Sequence, residues 1–90
     1  MSSDNVWAYP NPVDPGYTGL ITITGLTYDA DVKIVSSNGA LVAQGRSNGG
    51  TFTWDGHDQK GRRVASGVYM VVTATKSGEK GTVCKIAIVN

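Results

Sequence analysis

Apolar and polar residues alternate with period two along most of the chain, in short runs broken by Gly, Pro, Asn and Asp. Val6-Trp7-Ala8-Tyr9 is a short apolar run stopped by Pro10-Asn11-Pro12. Proline has no N–H for a ladder, so a strand here ends at Tyr9 or lies on an edge. Trp7 and Tyr9 are expected to straddle it, one in and one out. Val13-Asp14-Pro15-Gly16 predicts a turn. In Leu20-Ile21-Thr22-Ile23-Thr24 the isoleucines face inward and the threonines outward, and Leu26 tucks back beyond Gly25. Asp31–Val35 turns Val32 and Ile34 inward. Asn38-Gly39 predicts a tight primed hairpin turn leading to a return strand, Leu41–Gln44. After the turn at Asn48-Gly49-Gly50, Thr51–Trp54 points Phe52 and Trp54 inward. Asp55–Arg63 is polar and predicts a surface loop. Gly67–Thr75 is apolar at both parities, which predicts a strand central in its sheet. A hairpin loop is expected over Lys76–Lys80. Gly81–Val89 is the last strand, with Cys84, Ile86 and Ile88 on one parity and Lys85 on the other.

These runs make about seven strands, and no segment carries helical period. Each sheet must hide one face, so the expected fold is an all-β, two-sheet antiparallel sandwich, with a small barrel as the alternative. Composition agrees. The 90 residues include 11 Val, 5 Ile and 9 Thr against 3 Leu and 1 Glu, and 12 are glycine. That mix favours strands joined by glycine turns over helix. Residues 1–5 are polar and unpatterned and are expected to be disordered, leaving residues 6–90 as one domain.

Charge narrows the function. Eight Lys and Arg against seven Asp and Glu give a net charge of +1, which disfavours a non-specific nucleic-acid binder or a polybasic membrane surface. No apolar run approaches the ~18 residues of a membrane-spanning helix, and one cysteine allows no internal disulfide. The one histidine, His57, has no histidine partner, so it reads as a solvated loop residue and not a ligand or base. Asp55-Gly56-His57-Asp58-Gln59-Lys60-Gly61 superficially resembles a calcium loop but lacks its alternating oxygens and closing glutamate. The reading preferred here is that Asp55 and Asp58 cap backbone N–H groups in Asx-turns. Cys84, between isoleucine-rich neighbours, reads as a small buried hydrophobe. Lys60, Arg62 and Arg63, with Arg46, could gather into a basic patch, though solvated charges are the expectation. Trp7, Tyr9, Tyr17 and Tyr28 could stack on sugar rings if exposed. No phosphate-binding glycine motif or serine elbow is present, and no enzyme, cofactor or metal site is expected.

Three stretches carry a resemblance: Tyr9-Pro10-Asn11-Pro12-Val13; Trp54-Asp55-Gly56 with Gly61 and then Ser66-Gly67-Val68-Tyr69; and Lys85-Ile86-Ala87-Ile88-Val89. Their order resembles the C-terminal sorting domains of the type IX secretion system of Bacteroidetes. It is also similar to the related immunoglobulin-like domain of flagellar hook-capping proteins, from which the P-N-P-V opening and K-I-x-x-V ending distinguish it. The closest flavour is the last domain of two-component-regulator propeller proteins. The resemblance implies an immunoglobulin-like sandwich of about seven strands that is read by an outer-membrane translocon and its shuttle components. It also implies upstream domains in a longer parent, and passage through the periplasm to the cell surface. Lys85, Ile86, Ala87, Ile88 and Val89 become candidates for translocon recognition. Pro10, Asn11, Pro12, Trp54, Asp55, Gly56, Gly61, Gly67 and Tyr69 are the fold-making residues of the motifs. One departure stands out: the last residue is Asn90, where many relatives end in a basic residue. The other reading is an accessory module that binds glycan or packs against a parent propeller.

Overall fold

The computed structural model describes residues 6–74 and 80–90, and every structural statement below concerns these residues. They form seven strands and no helix. The strands are β1 (Trp7–Tyr9), β2 (Ile21–Thr24), β3 (Asp31–Ser36), β4 (Leu41–Arg46), β5 (Phe52–Trp54), β6 (Gly67–Ala74) and β7 (Lys80–Ile88). They make two antiparallel sheets, one of order β1-β2-β5 and one of order β4-β3-β6-β7. The fold is therefore the antiparallel sandwich that alternation predicts. Of the hairpin loop expected over Lys76–Lys80, residues 76–79 lie outside the described residues and Lys80 already belongs to β7.

The inner faces of the sheets meet in one core. Ile21 and Ile23 of β2, Val32 and Ile34 of β3, Val71 of β6 and Ile86 of β7 are fully buried, as is Val13 from the segment after β1. Each such side chain contributes roughly 1.5–3 kcal/mol by leaving water. Val6, Ala8, Leu26, Val42, Trp54, Val64, Tyr69 and Ile88 complete the cluster. The two loops at one end are tied through a buried hydroxyl: Ser47 Oγ accepts from Ala30 N at 2.9 Å and donates to the Thr27 carbonyl at 2.7 Å.

Several expectations change. Trp7 and Tyr9 are two residues apart, so they share a parity; both point outward, and Ala8 between them fills the inner position. Phe52 is only half-buried, because it lies over β4, where a Cβ on Gly45 would meet its ring at 2.6 Å. The β3–β4 hairpin forms, but not through a primed two-residue turn. Only Gly39 takes positive φ (88°), while Gly39 N donates to the Ser36 carbonyl at 2.9 Å. A four-residue turn closed by a left-handed glycine accounts for the register shift between Ile34 and Val35. Strand β6 is central in its sheet, as its composition predicts, but only Tyr69 and Val71 are buried by it. Its other parity, Val68, Met70 and Val72, lies on the outer face, with Val68 45% exposed. Cys84 is half-buried, not fully buried: the register shifts beside it, pairing Val71 with Cys84 but Val72 with Thr82.

Candidate functional site: the last strand and what holds it

Strand β7 forms one edge of the four-stranded sheet. Within the candidate segment, alternation divides the roles. Ile86 and Ile88 are 0% and 2% exposed and belong to the core. Lys85 and Val89 are exposed and Ala87 is half-buried, so these three carry the accessible side of the segment.

The free edge of this segment is covered by the P-N-P-V motif. The Tyr9–Pro10 and Asn11–Pro12 peptides are both cis. Between the prolines, Asn11 Nδ2 donates to the Lys85 carbonyl at 2.8 Å, and Asn11 Oδ1 accepts from Ala87 N at 3.0 Å. A primary amide carries one carbonyl and one N–H-bearing nitrogen, so it pairs with a strand as a peptide group would. Backbone pairing then takes over: Val13 N donates to the Ala87 carbonyl at 2.8 Å, and Val89 N donates to the Val13 carbonyl at 2.9 Å. Val13 makes a parallel bridge with Ile88 and is itself fully buried. The segment that begins at β1 in one sheet thus ends against β7 in the other.

The second motif forms the opposite wall and its loop. Trp54 is 3% exposed, and its Nε1 donates to the His57 carbonyl at 3.0 Å. Its ring meets that of Tyr69 at a centroid distance of 5.7 Å and 59°. The Tyr69 hydroxyl donates to the Ala65 carbonyl at 2.6 Å, four residues back along the chain. Burial pushes this phenol's pKa up. Asp55 and Asp58 do cap backbone donors. Asp55 Oδ1 accepts from His57 N at 3.0 Å; Asp58 Oδ1 accepts from Lys60 N at 2.9 Å and Arg62 N at 3.0 Å. The bond from Arg62 N does most to hold the Asp58 carboxyl below its ordinary pKa. Gly56 sits at φ 77°, buried, where a Cβ would meet the Arg63 guanidinium at 3.2 Å. At Gly67, by contrast, the nearest atom to such a Cβ is 4.0 Å away, so close backbone approach is not the reason for glycine there. The final residue binds this loop: Asn90 Nδ2 donates to the Val64 carbonyl and Asn90 N to Ser66 Oγ, both at 2.9 Å.

The remaining sequence candidates do not converge. His57 Nδ1 lies 2.9 Å from the Asp55 carbonyl, a contact within its own turn. Among the described residues, no three His, Cys, Asp or Glu side chains are grouped to hold a metal. Burial raises the pKa of the Cys84 thiol, so little of it is thiolate at neutral pH. The basic residues are dispersed: Arg46 pairs with Asp29 at 2.9 Å and Asp31 at 2.6 Å, Arg62 lies 3.8 Å from Asp58, and Arg63 donates to the Tyr17 carbonyl at 3.0 Å. Tyr17 is half-buried, its hydroxyl held by the Leu20 carbonyl at 2.7 Å. Trp7 and Tyr9 are exposed side by side with centroids 5.2 Å apart at 39°. They lie opposite Thr24 and Thr22 of β2 on the outer face of the three-stranded sheet, and Tyr28 is 78% exposed on the loop beyond it.

Neither a family model nor a curated protein matches the sequence. Among solved structures, the chain matches part of PorZ, described as an essential bacterial surface component of the type-IX secretion system of human oral-microbiomic Porphyromonas gingivalis. The TM-score is 0.83 and the identity 35%, over 97% of this chain and 12% of that one. The chain is built like part of a type IX secretion component. It spans about an eighth of PorZ's length, so the likeness concerns a segment of that protein and not the whole of it.

Sequence reasoning missed the roles of Asn11 and Asn90. Their partners are 74 and 76 residues away for Asn11 and 24 and 26 for Asn90, and no local pattern encodes such pairs.

Proposed function

We propose that this chain is a non-enzymatic, immunoglobulin-like sorting domain that directs or supports export of a parent protein through the type IX secretion system. The observation that carries this is its 35% identity to a segment of PorZ over 97% of the chain. The motif residues support it, since the P-N-P-V and K-I-x-x-V stretches hydrogen-bond to each other. The immunoglobulin-like reading is supported by the three-plus-four division of strands, by the first segment passing from one sheet to the other, and by Tyr69. Its hydroxyl bonds back to Ala65 in the manner of a tyrosine corner. On this reading the partners are the outer-membrane translocon, its shuttle components and the upstream domains of the parent. The route is through the periplasm to the cell surface. Lys85, Ala87 and Val89 are the recognition candidates with accessible side chains, while Ile86 and Ile88 serve by holding the strand in the core.

A reporter carrying residues 1–90 at its C-terminus, expressed in a type IX-competent host, tests this. The reporter is expected at the cell surface. A folded fusion that remains periplasmic would overturn the sorting role.

The accessory reading has one observation in its favour, the outward pair Trp7 and Tyr9 beside threonine hydroxyls. A titration with soluble glycans followed by NMR tests its glycan-binding form: saturable shifts confined to Trp7 and Tyr9 support it, and their absence removes that form.

A further inference from the structure

Resting on the sorting reading, a second question is which surface of the domain the machinery can grip. An edge strand ordinarily offers its unpaired N–H and C=O groups to an added strand. Over the candidate segment of β7 that edge is occupied, because Asn11 and Val13 take the Lys85 carbonyl, both polar groups of Ala87, and Val89 N. The inner face is occupied too, by Ile86 and Ile88 in the core. What remains is the outer face of the four-stranded sheet.

That face is apolar where most outer faces are polar. The register places Leu41, Val35, Met70 and Lys85 side by side across β4, β3, β6 and β7. Val68 and Ala87 form the row on one side; Gln44, Lys33, Val72 and Thr82 form the row on the other. Leu41 is 41% and Val68 45% exposed, and Val35, Met70, Val72 and Ala87 are half-buried. Contiguous apolar surface of this kind marks interaction sites. The face also has a charge signature. Lys33 and Lys85 are exposed on it, and neither has a carboxylate partner among the described residues. Asp31, an acidic group at one end of the face, is engaged by Arg46. Among the described side chains only these two lysines stand free on the face, whereas an anionic lipid surface calls for clusters of about four to eight. They fit the polar rim of a protein interface with an apolar centre.

We propose that the export machinery docks on this outer face. The partner is a folded protein that lays apolar side chains over Val35, Leu41, Val68 and Met70 and sets carboxylates against Lys33 and Lys85. Recognition is by side chains of the completed sheet and not by addition of a strand to β7.

The reporter fusion tests this with four variants, each checked for a cooperative thermal transition. Val68→Glu is expected to lower surface delivery about tenfold, as loss of a central interface contact does, and separately Lys33→Glu with Lys85→Glu is expected to lower it by setting like charges against the partner's carboxylates at the rim. The lysine pair is exposed, so it keeps the test alive if Val68→Glu fails to fold. Gln59→Ala, on an exposed loop, is expected to deliver as the unaltered domain does. Asn11→Ala opens the β7 edge while leaving the face in place, and is expected not to raise delivery. Folded face variants that deliver at the unaltered level overturn the docking surface and leave the sorting role standing. So does a rise in delivery with Asn11→Ala, which would assign docking to the edge. The same holds if Val68→Glu merely converts a dimer to a monomer without touching delivery, since the face would then serve a second copy of the chain. Failure of the unaltered domain to deliver any reporter overturns the sorting reading, and this surface with it.

Discussion

The two sheets turn the same kind of side chain inward and different kinds outward. Ile21 and Ile23 on one and Val32, Ile34, Val71 and Ile86 on the other make a β-branched core. Outward, the three-stranded sheet carries Trp7, Tyr9, Thr22 and Thr24, whereas the four-stranded sheet carries Val35, Leu41, Val68 and Met70 with Lys33 and Lys85. A sandwich needs only its inner faces to be apolar. The threonine-rich face is what solvent alone would require, with two aromatic residues added. The aliphatic face is more than solvent requires, and the excess is therefore better sought in what the domain meets than in what holds it together.

That contrast breaks most readily at the inner face. Trp54→Ala removes the largest buried ring and is expected to cost about 3–5 kcal/mol, enough to abolish the cooperative transition of a marginal domain. A variant melting near the unaltered temperature would mean that the inner face of the three-stranded sheet contributes little, and that its outer face must matter more than supposed. Next comes the clamp on β7. Asn11→Ala deletes two hydrogen bonds and is expected to cost about 1–3 kcal/mol by denaturant titration. No loss at all would mean the edge is closed by Val13 alone. The smallest effect is on the outer face itself. Val68→Thr keeps the β-branch and removes apolar surface from a largely exposed position, so stability should move by less than about 0.5 kcal/mol. A larger loss in chemical denaturation would make the aliphatic face a structural element and weaken its reading as a docking surface.

How much of this was legible depends on the range of the interaction. Alternation is a property of neighbours, so Ile21 with Ile23 and Val32 with Ile34 were assigned correctly from sequence, as were the Asx caps at Asp55 and Asp58. The same rule sets Trp7 and Tyr9, two residues apart, on one side of β1. In β6, alternation is uninformative because both parities are apolar; sequence cannot tell a strand covered on two faces from one whose second face awaits a partner. Cys84 and the Asn38-Gly39 turn depart from the local pattern through register shifts, which depend on the partner strand and leave no local mark. The candidate segment Lys85–Val89 was legible as a strand, but its division into core and accessible residues was drawn only by parity. The closing of its edge by Asn11 was invisible, since a proline-flanked asparagine reads equally well as a turn.

The clamp also orders events in time. The β3–β4 hairpin closes a few residues, whereas Asn11 meets partners 74 and 76 residues further on. Contacts of such separation are expected to form after the local ones, so Asn11→Ala should speed unfolding and leave the refolding rate almost unchanged. A refolding rate that falls with stability would place the clamp in the nucleus instead. If it closes last, the sandwich behaves as a clasp that shuts only once the first and last strands are both in hand.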